Sequence, residues 1–414
     1  MAIPLSRHTA PDGVPERLLW AASGFIAVAL GPLAALAPRG LPVWAILTAV
    51  VALAGLIRRQ ALGRVARAAV PAVLVVAFLV LALVSTLWSP SPRSVPTVAE
   101  LGYIALGALL GGAWVSQLPG VEALRLARLF LIGLLVGVAV FGSEILLNFP
   151  IYRWWNGSTA EEAAIILYTN VPKRSSALLC LLVWPAALVI DRLLSRGNWA
   201  LALPVGYAAF CLPLTSRSAT LGIGIGLAVY GLARWSGVIA RRLMGGVLVV
   251  AFVAVLPLVL LFDRGLDLTR APWLFTSAQH RIEIWGMAAT RALDTPLLGQ
   301  GIDASRALPP HGEVSRFSPI TDSLLPLHPH NAFLQVWLEL GGIGAGLALA
   351  LALLLLNGVK RMEPGDQPFA LALFATSLAM ISTAYGVWQP WWMASFLAAG
   401  LTLRLAARIP ADNR

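Results

Sequence analysis

Apolar runs of about 20 residues, the length a helix needs to cross a bilayer, follow one another along nearly the whole chain. They lie near 18–37, 41–57, 69–88, 98–116, 126–147, 174–192, 199–215, 218–235, 242–262, 332–357, 367–386 and 390–408. A bilayer leaves no water for unsatisfied backbone groups, so only helices or a closed barrel can span it. The residue-by-residue alternation of a lipid-facing barrel is missing here. The expected fold class is therefore all-α, a polytopic membrane protein with about 12 transmembrane helices. The composition, 58% hydrophobic and only 12% charged, agrees with an integral membrane protein.

The formal net charge of +11 does not point to nucleic acid, because the basic residues form no single surface run. They sit between the apolar runs. One alternate set of connections carries Arg58, Arg59, Arg64 and Arg67, then Arg125 and Arg128, Arg192 and Arg196, Arg234, Arg241 and Arg242, and Lys360 and Arg361. The opposite set carries little beyond Arg39 and Arg93. Cytoplasmic connections hold the excess of Lys and Arg, so both termini are expected in the cytoplasm. The chain then divides into transmembrane helices one to nine (1–262), a large outer loop (263–331), and helices ten to twelve with a cytoplasmic tail (332–414). The first fifteen residues lack the pattern of a removable signal peptide, so the first span is expected to direct insertion. Cys180 and Cys211 both lie inside apolar runs, which speaks against a disulfide framework or a metal site.

The densest polar signal closes the large loop: His328-Pro-His330-Asn331, followed by Gln335, Glu339 and glycines at 341, 342, 344 and 346. Pro329 disfavours helix at His328, and Asn331 suits the N-cap of the helix that follows. His330 then stands at a helix N-terminus, whose partial positive charge disfavours imidazolium. A neutral imidazole can take a proton. Asn331, Gln335 and Glu339 recur every four residues and share one helix face, and the glycines invite close approach by another helix. Earlier in the same loop, Ser277 is expected to cap a helix running to about Asp294, with Arg281 and Trp285 one turn apart.

Three basic positions fall on the outer side: Arg217 in Thr215-Ser216-Arg217-Ser218, Arg281, and the pair Lys173 and Arg174 at the start of the sixth span. Each has a bland reading, snorkelling to lipid phosphates, beside a functional one, recognition of a phosphate-bearing substrate. Glu144 and Glu339 lie at membrane depth, where a carboxylate is either functional or paired with an arginine. No Asp-x-Asp, His-x-x-His or Glu-x-x-His cluster occurs, and no Gly-rich phosphate loop followed by Lys-Ser/Thr. Neither a metal nor a cofactor is expected. Arginines and a histidine on the outer face point to a lipid-linked phosphate donor, whose departing charge must be met while an acceptor hydroxyl is deprotonated.

Three patches carry a family resemblance: Leu214-Thr-Ser-Arg217-Ser-Ala, Arg281-Ile-Glu-Ile-Trp285 with Pro296-Leu-Leu-Gly299-Gln-Gly301, and His330-Asn-Ala-Phe-Leu-Gln335 with Glu339-Leu-Gly341. In this order, with one large late loop, the chain resembles the O-antigen ligase and polymerase superfamily of the bacterial inner membrane, and within it the ligases. The resemblance implies a C-type glycosyltransferase architecture. It also implies metal-independent, inverting transfer of a glycan from undecaprenyl diphosphate to a lipid A-core sugar at the periplasmic face. In that frame His330 matches the general base, and Arg217 and Arg281 match the arginines at the diphosphate. Lys173, Arg174, Asn331, His328, Glu339 and Trp285 are read as substrate-binding. A polymerase or a protein O-oligosaccharyltransferase would use the same residues with another acceptor. A transporter should show paired halves with broken helices, and no such symmetry is visible.

Overall fold

A computed structural model describes residues 14–67, 69–194, 199–214, 216–308, 317 and 328–410. Among them no strand occurs. The helices are α1 (Val14–Leu36), α2 (Leu41–Arg58), α3 (Ala69–Ser85), α4 (Ser94–Gln117), α5 (Gly120–Leu146), α6 (Pro150–Asn156) and α7 (Ala160–Leu194). After these come α8 (Ala202–Cys211), α9 (Arg217–Val253), α10 (Val255–Leu260), α11 (Thr276–Asp294), α12 (Ala332–Gly358), α13 (Gln367–Ile381) and α14 (Pro390–Ala406). Every apolar run contains helix. Seven described helical segments are long and apolar enough to cross a membrane, and three apolar helices, in α3, α8 and α13, are shorter.

Two expectations about boundaries need correction. The stretch 148–173, which the apolar runs 126–147 and 174–192 leave between them as a connection, is largely helical, holding α6 and the first turns of α7. The missed signal is a capping box: Glu162 N–H donates to Thr159 Oγ1 (3.2 Å), and Thr159 N–H donates to Glu162 Oε2 (2.9 Å). Helix α11 does run to Asp294, but Ser277 is not its cap. The flanking residue is Phe275, which makes no side-chain cap bond.

The continuous-looking α9 reverses direction. Ser236 leaves helical geometry (φ −151°, ψ 99°), and its Oγ accepts from Ile239 N–H as a new N-cap (3.3 Å). Along the first arm, Gly222 and Gly226 face Met380 and Thr376 of α13, and Gly237 faces Gln367 at that helix's start. Along the second arm, Gly245 faces Leu353 and Leu356 near the end of α12, and Phe252 stacks edge-on with Phe333 near its beginning (4.8 Å). The second arm therefore returns to the end from which the first set out. At the opposite end, buried Arg192 reaches Asp366 (2.6 Å) and Glu363 (2.7 Å), tying the last turn of α7 to the first of α13. Lys173, Arg217 and His330 thus gather at one end of the bundle. Arg192, Arg234 and Lys360 gather at the other.

Candidate active site

The α12 N-terminus forms as its sequence dictates. Asn331 Oδ1 accepts from the N–H groups of Phe333 (3.1 Å) and Leu334 (3.2 Å), satisfying two of the donors a helix start leaves free. Its side-chain oxygen is thereby engaged in capping, although Asn331 is expected to bind substrate. His330, just before, takes a left-handed backbone (φ 56°), uncommon for a residue with a Cβ. This turn sends its ring to the Ala384 carbonyl, 2.7 Å from Nδ1. A carbonyl only accepts, so Nδ1 carries the hydrogen and Nε2 keeps its lone pair. Burial holds the His330 pKa below the usual imidazole value. The Ala384 bond opposes this, and the charges of Arg281 and His280 reinforce it.

His328 is not free to swing into solvent. Its ring is buried, stands edge-on to that of His330 (4.2 Å), and packs closely against Gly386. Its Nδ1 accepts the His330 backbone N–H (3.3 Å). Burial, with help from the charges of His330 and Arg306, pushes its pKa down to about 3, so it stays neutral. His328 shapes the turn that presents His330.

The cations come from three different elements. On α11, Trp285 Nε1 donates to the Pro329 carbonyl (2.8 Å), clamping that helix to the histidine turn. Trp285 therefore holds the frame rather than reaching outward. Arg281, one turn earlier, is half-buried, and burial works against its charge with no acidic side chain among the described residues to offset it. Its guanidinium acts on both His330 and Lys173. Arg217, at the start of α9, is exposed and lies over the ring of Phe275, 4.3 Å from its centroid. Phe275 immediately precedes α11, so this contact joins the two arginine-bearing elements. Lys173 and Arg217 line one open groove of about 980 Å³, whose remaining wall is largely apolar and includes Leu214, Leu221 and Ile225. Lys173 and Arg174 do not act together. Adjacent residues on a helix point about 100° apart, and Arg174 faces Arg39, Tyr152 and Tyr385 instead.

The glycines at 341–346 were expected to receive a helix, and a loop arrives instead. Helix α12 breaks at Gly341 (φ 61°, ψ −164°). The break strands the carbonyls of Leu338 and Glu339 and the N–H groups of Gly342 and Ile343, which a continuous helix would pair. The segment 296–301 supplies all four partners. Gln300 N–H meets Leu338 O (2.9 Å), and Gly301 N–H meets Glu339 O (2.9 Å). Gly342 N–H meets Pro296 O (2.8 Å), and Ile343 N–H meets Leu297 O (3.3 Å). The turn after α3 grips the same loop, through Trp88 Nε1 to Gly299 O (3.2 Å) and Ser89 Oγ to Ile302 O (2.7 Å). Glu339 is completely buried and accepts from Asp303, Ser305, Gln335 and Trp388. It is walled off from any ligand, contrary to its reading as a substrate contact. Glu144 pairs with no arginine among the described residues, and caps α6 through the N–H groups of Ile151 and Tyr152.

Residues 201–349 match the family model described as O-antigen ligase, a span that takes in Arg217, Arg281, His330 and the Gly341 break. A Rickettsia conorii protein is 28% identical over 325 residues, covering 77% of this chain and 76% of its own. A Rickettsia felis protein is 27% identical over 331 residues, 78% of each. Both bear the name "Putative polysaccharide ligase". In these comparisons the chain is similar to O-antigen ligase-like proteins. In the structure the three sequence patches prove to be one assembly. The second and third interlock backbone to backbone at the Gly341 break, and the Arg217–Phe275 contact ties the first to the start of the helix that carries Arg281. Chemically the assembly offers an unprotonated imidazole nitrogen beside cations that no acidic side chain among the described residues pairs with, at the mouth of an apolar groove. Sequence reasoning missed the Ala384 carbonyl, because any residue type presents the same backbone oxygen. It also missed Phe275, a lone aromatic in a loop.

Proposed function

We propose that this protein is a glycosyltransferase of the bacterial inner membrane that ligates a lipid-linked glycan onto lipid A-core, with its termini cytoplasmic and its site periplasmic. The donor is a glycan on undecaprenyl diphosphate. Its polyprenyl chain lies in the apolar groove, and its diphosphate meets Lys173, Arg217 and Arg281. The acceptor hydroxyl oxygen attacks the anomeric carbon from the face opposite the diphosphate, so configuration inverts. As the new C–O bond forms, the bond to the diphosphate breaks and its electron pair leaves with the phosphate oxygen. The hydroxyl proton passes to His330 Nε2. Charge on the leaving group is met by guanidinium and ammonium groups already in place, without metal. The observation that carries this reading is the His330–Ala384 hydrogen bond, which leaves a basic Nε2 beside Arg281.

The test uses purified protein in lipid with undecaprenyl-diphosphate glycan and rough lipopolysaccharide, in chelator and without nucleotide. Glycan should move onto lipid A-core and free undecaprenyl diphosphate should appear. His330→Ala should remain inserted and lose transfer. A lengthened lipid-linked glycan with unmodified lipopolysaccharide would make it a polymerase, and the absence of any new covalent bond would remove the enzyme reading.

A further inference from the structure

His330 owes its tautomer to a residue 54 positions away. Ala384 lies in the non-helical segment 382–389 between α13 and α14. A carbonyl on such a turn orients an imidazole only if the turn itself is held, and three contacts from the α12 side hold it. Val387 N–H donates to Gln335 Oε1 (2.9 Å). Trp388 Nε1 donates to Glu339 Oε2 (2.5 Å). Gly386 is pressed against the His328 ring so closely that a Cβ there would come within 2.7 Å of His328 Cγ.

Gln335 and Glu339 stand one helical turn apart, joined by Gln335 Nε2 to Glu339 Oε1 (3.0 Å), and are 2% and 0% exposed. Each carboxylate oxygen of Glu339 takes a second donor, Oε2 the Asp303 N–H (2.5 Å) and Oε1 the Ser305 hydroxyl. Every partner of this carboxylate is a donor, which suits an acceptor-only group. An amide in its place would turn an NH₂ against one of them. Two polar side chains buried at this depth are costly unless fully paired, and here their pairing runs to the one turn that orients the imidazole.

We infer that Gln335 and Glu339 are positioning residues that fix the Ala384 carbonyl and, through it, the Nδ1-protonated form of His330, without touching the substrate. The inference rests on the reading of His330 as general base. It departs from a purely structural role in one observable, the distribution of the His330 ring proton.

The measurement is ¹⁵N NMR of imidazole-labelled protein in lipid nanodiscs, with the His330 signals identified by their loss in His330→Ala. Wild type should show Nδ1–H alone. Gln335→Met, similar in length and without the amide, should show a mixture of tautomers. Its kcat should fall about 10- to 100-fold, the penalty for a misplaced catalytic group, while the donor KM stays within about twofold. Glu339→Gln should do the same and serves if Gln335→Met does not fold. Thr376→Val is the control for lost stability alone. It removes the buried bond from Trp184 Nε1 (2.8 Å) and should lower the melting temperature with tautomer and kcat unchanged. A fall in kcat with the Nδ1–H signature intact, or no fall, overturns the inference. Full transfer by His330→Ala would instead overturn the base assignment, whatever Gln335→Met does.

Discussion

Gly341→Ala is the sharpest structural perturbation the site offers. Its dihedrals (φ 61°, ψ −164°) fall in a region that only glycine occupies readily, and another residue held there costs about 1–3 kcal/mol. A Cβ would also lie 2.6 Å from Leu298 N and closer still to the Leu297 carbonyl. Both are backbone, so no rotamer change relieves the clash and the 296–301 loop must withdraw. Withdrawal breaks the four hydrogen bonds that bridge the gap in α12, each contributing about 1 kcal/mol net. Strain and lost bonds together come to about 5–7 kcal/mol, a large fraction of the stability of most folds. Gly346→Ala is the internal control: a Cβ there meets open space, and in a helix alanine is favoured over glycine by up to about 1 kcal/mol. Thermal unfolding in detergent and limited proteolysis across 296–306 provide the readout, with transfer activity measured in parallel. Gly341→Ala should melt well below wild type, expose the loop to protease and lose activity, whereas Gly346→Ala should match wild type or exceed it. If the two variants behave alike, the loop does not complete α12 in the way its hydrogen bonds indicate.

The acid limb of kcat/KM should fall below the ordinary imidazole value of about 6.5. Burial and the Arg281 charge disfavour imidazolium in His330, so more acid is needed to protonate the base. Arg281→Gln should move that limb upward, and a wild-type midpoint above 6.5 would contradict the electrostatics. Arg217→Ala and Arg281→Ala should each lose about 10²–10³ in kcat, the usual cost of removing a donor aimed at developing charge. Lysine should restore only part, because it keeps the charge without the planar fork. Full activity in both lysine variants would reduce these arginines to lipid anchors.

Much of this protein is fixed by local chemistry and was legible residue by residue. Helices follow from apolar runs that can satisfy their backbone only internally, and the α12 start follows from Asn331, whose short side chain reaches Phe333 and Leu334 wherever the rest of the chain lies. The excess of arginine and lysine in alternate connections was equally visible, because charge in the connections needs no tertiary partner. What the sequence could not show were the interactions made by groups every residue shares. The Ala384 carbonyl that orients His330, and the carbonyls and N–H groups of Pro296–Gly301 that close the gap at Gly341, are backbone atoms without a side-chain signature. The same limit separated Lys173 from Arg174, adjacent in the chain and facing different neighbours, and turned Gln335 and Glu339 inward. Helical spacing says which residues share a face, but only packing decides whether that face meets substrate or the protein's own backbone.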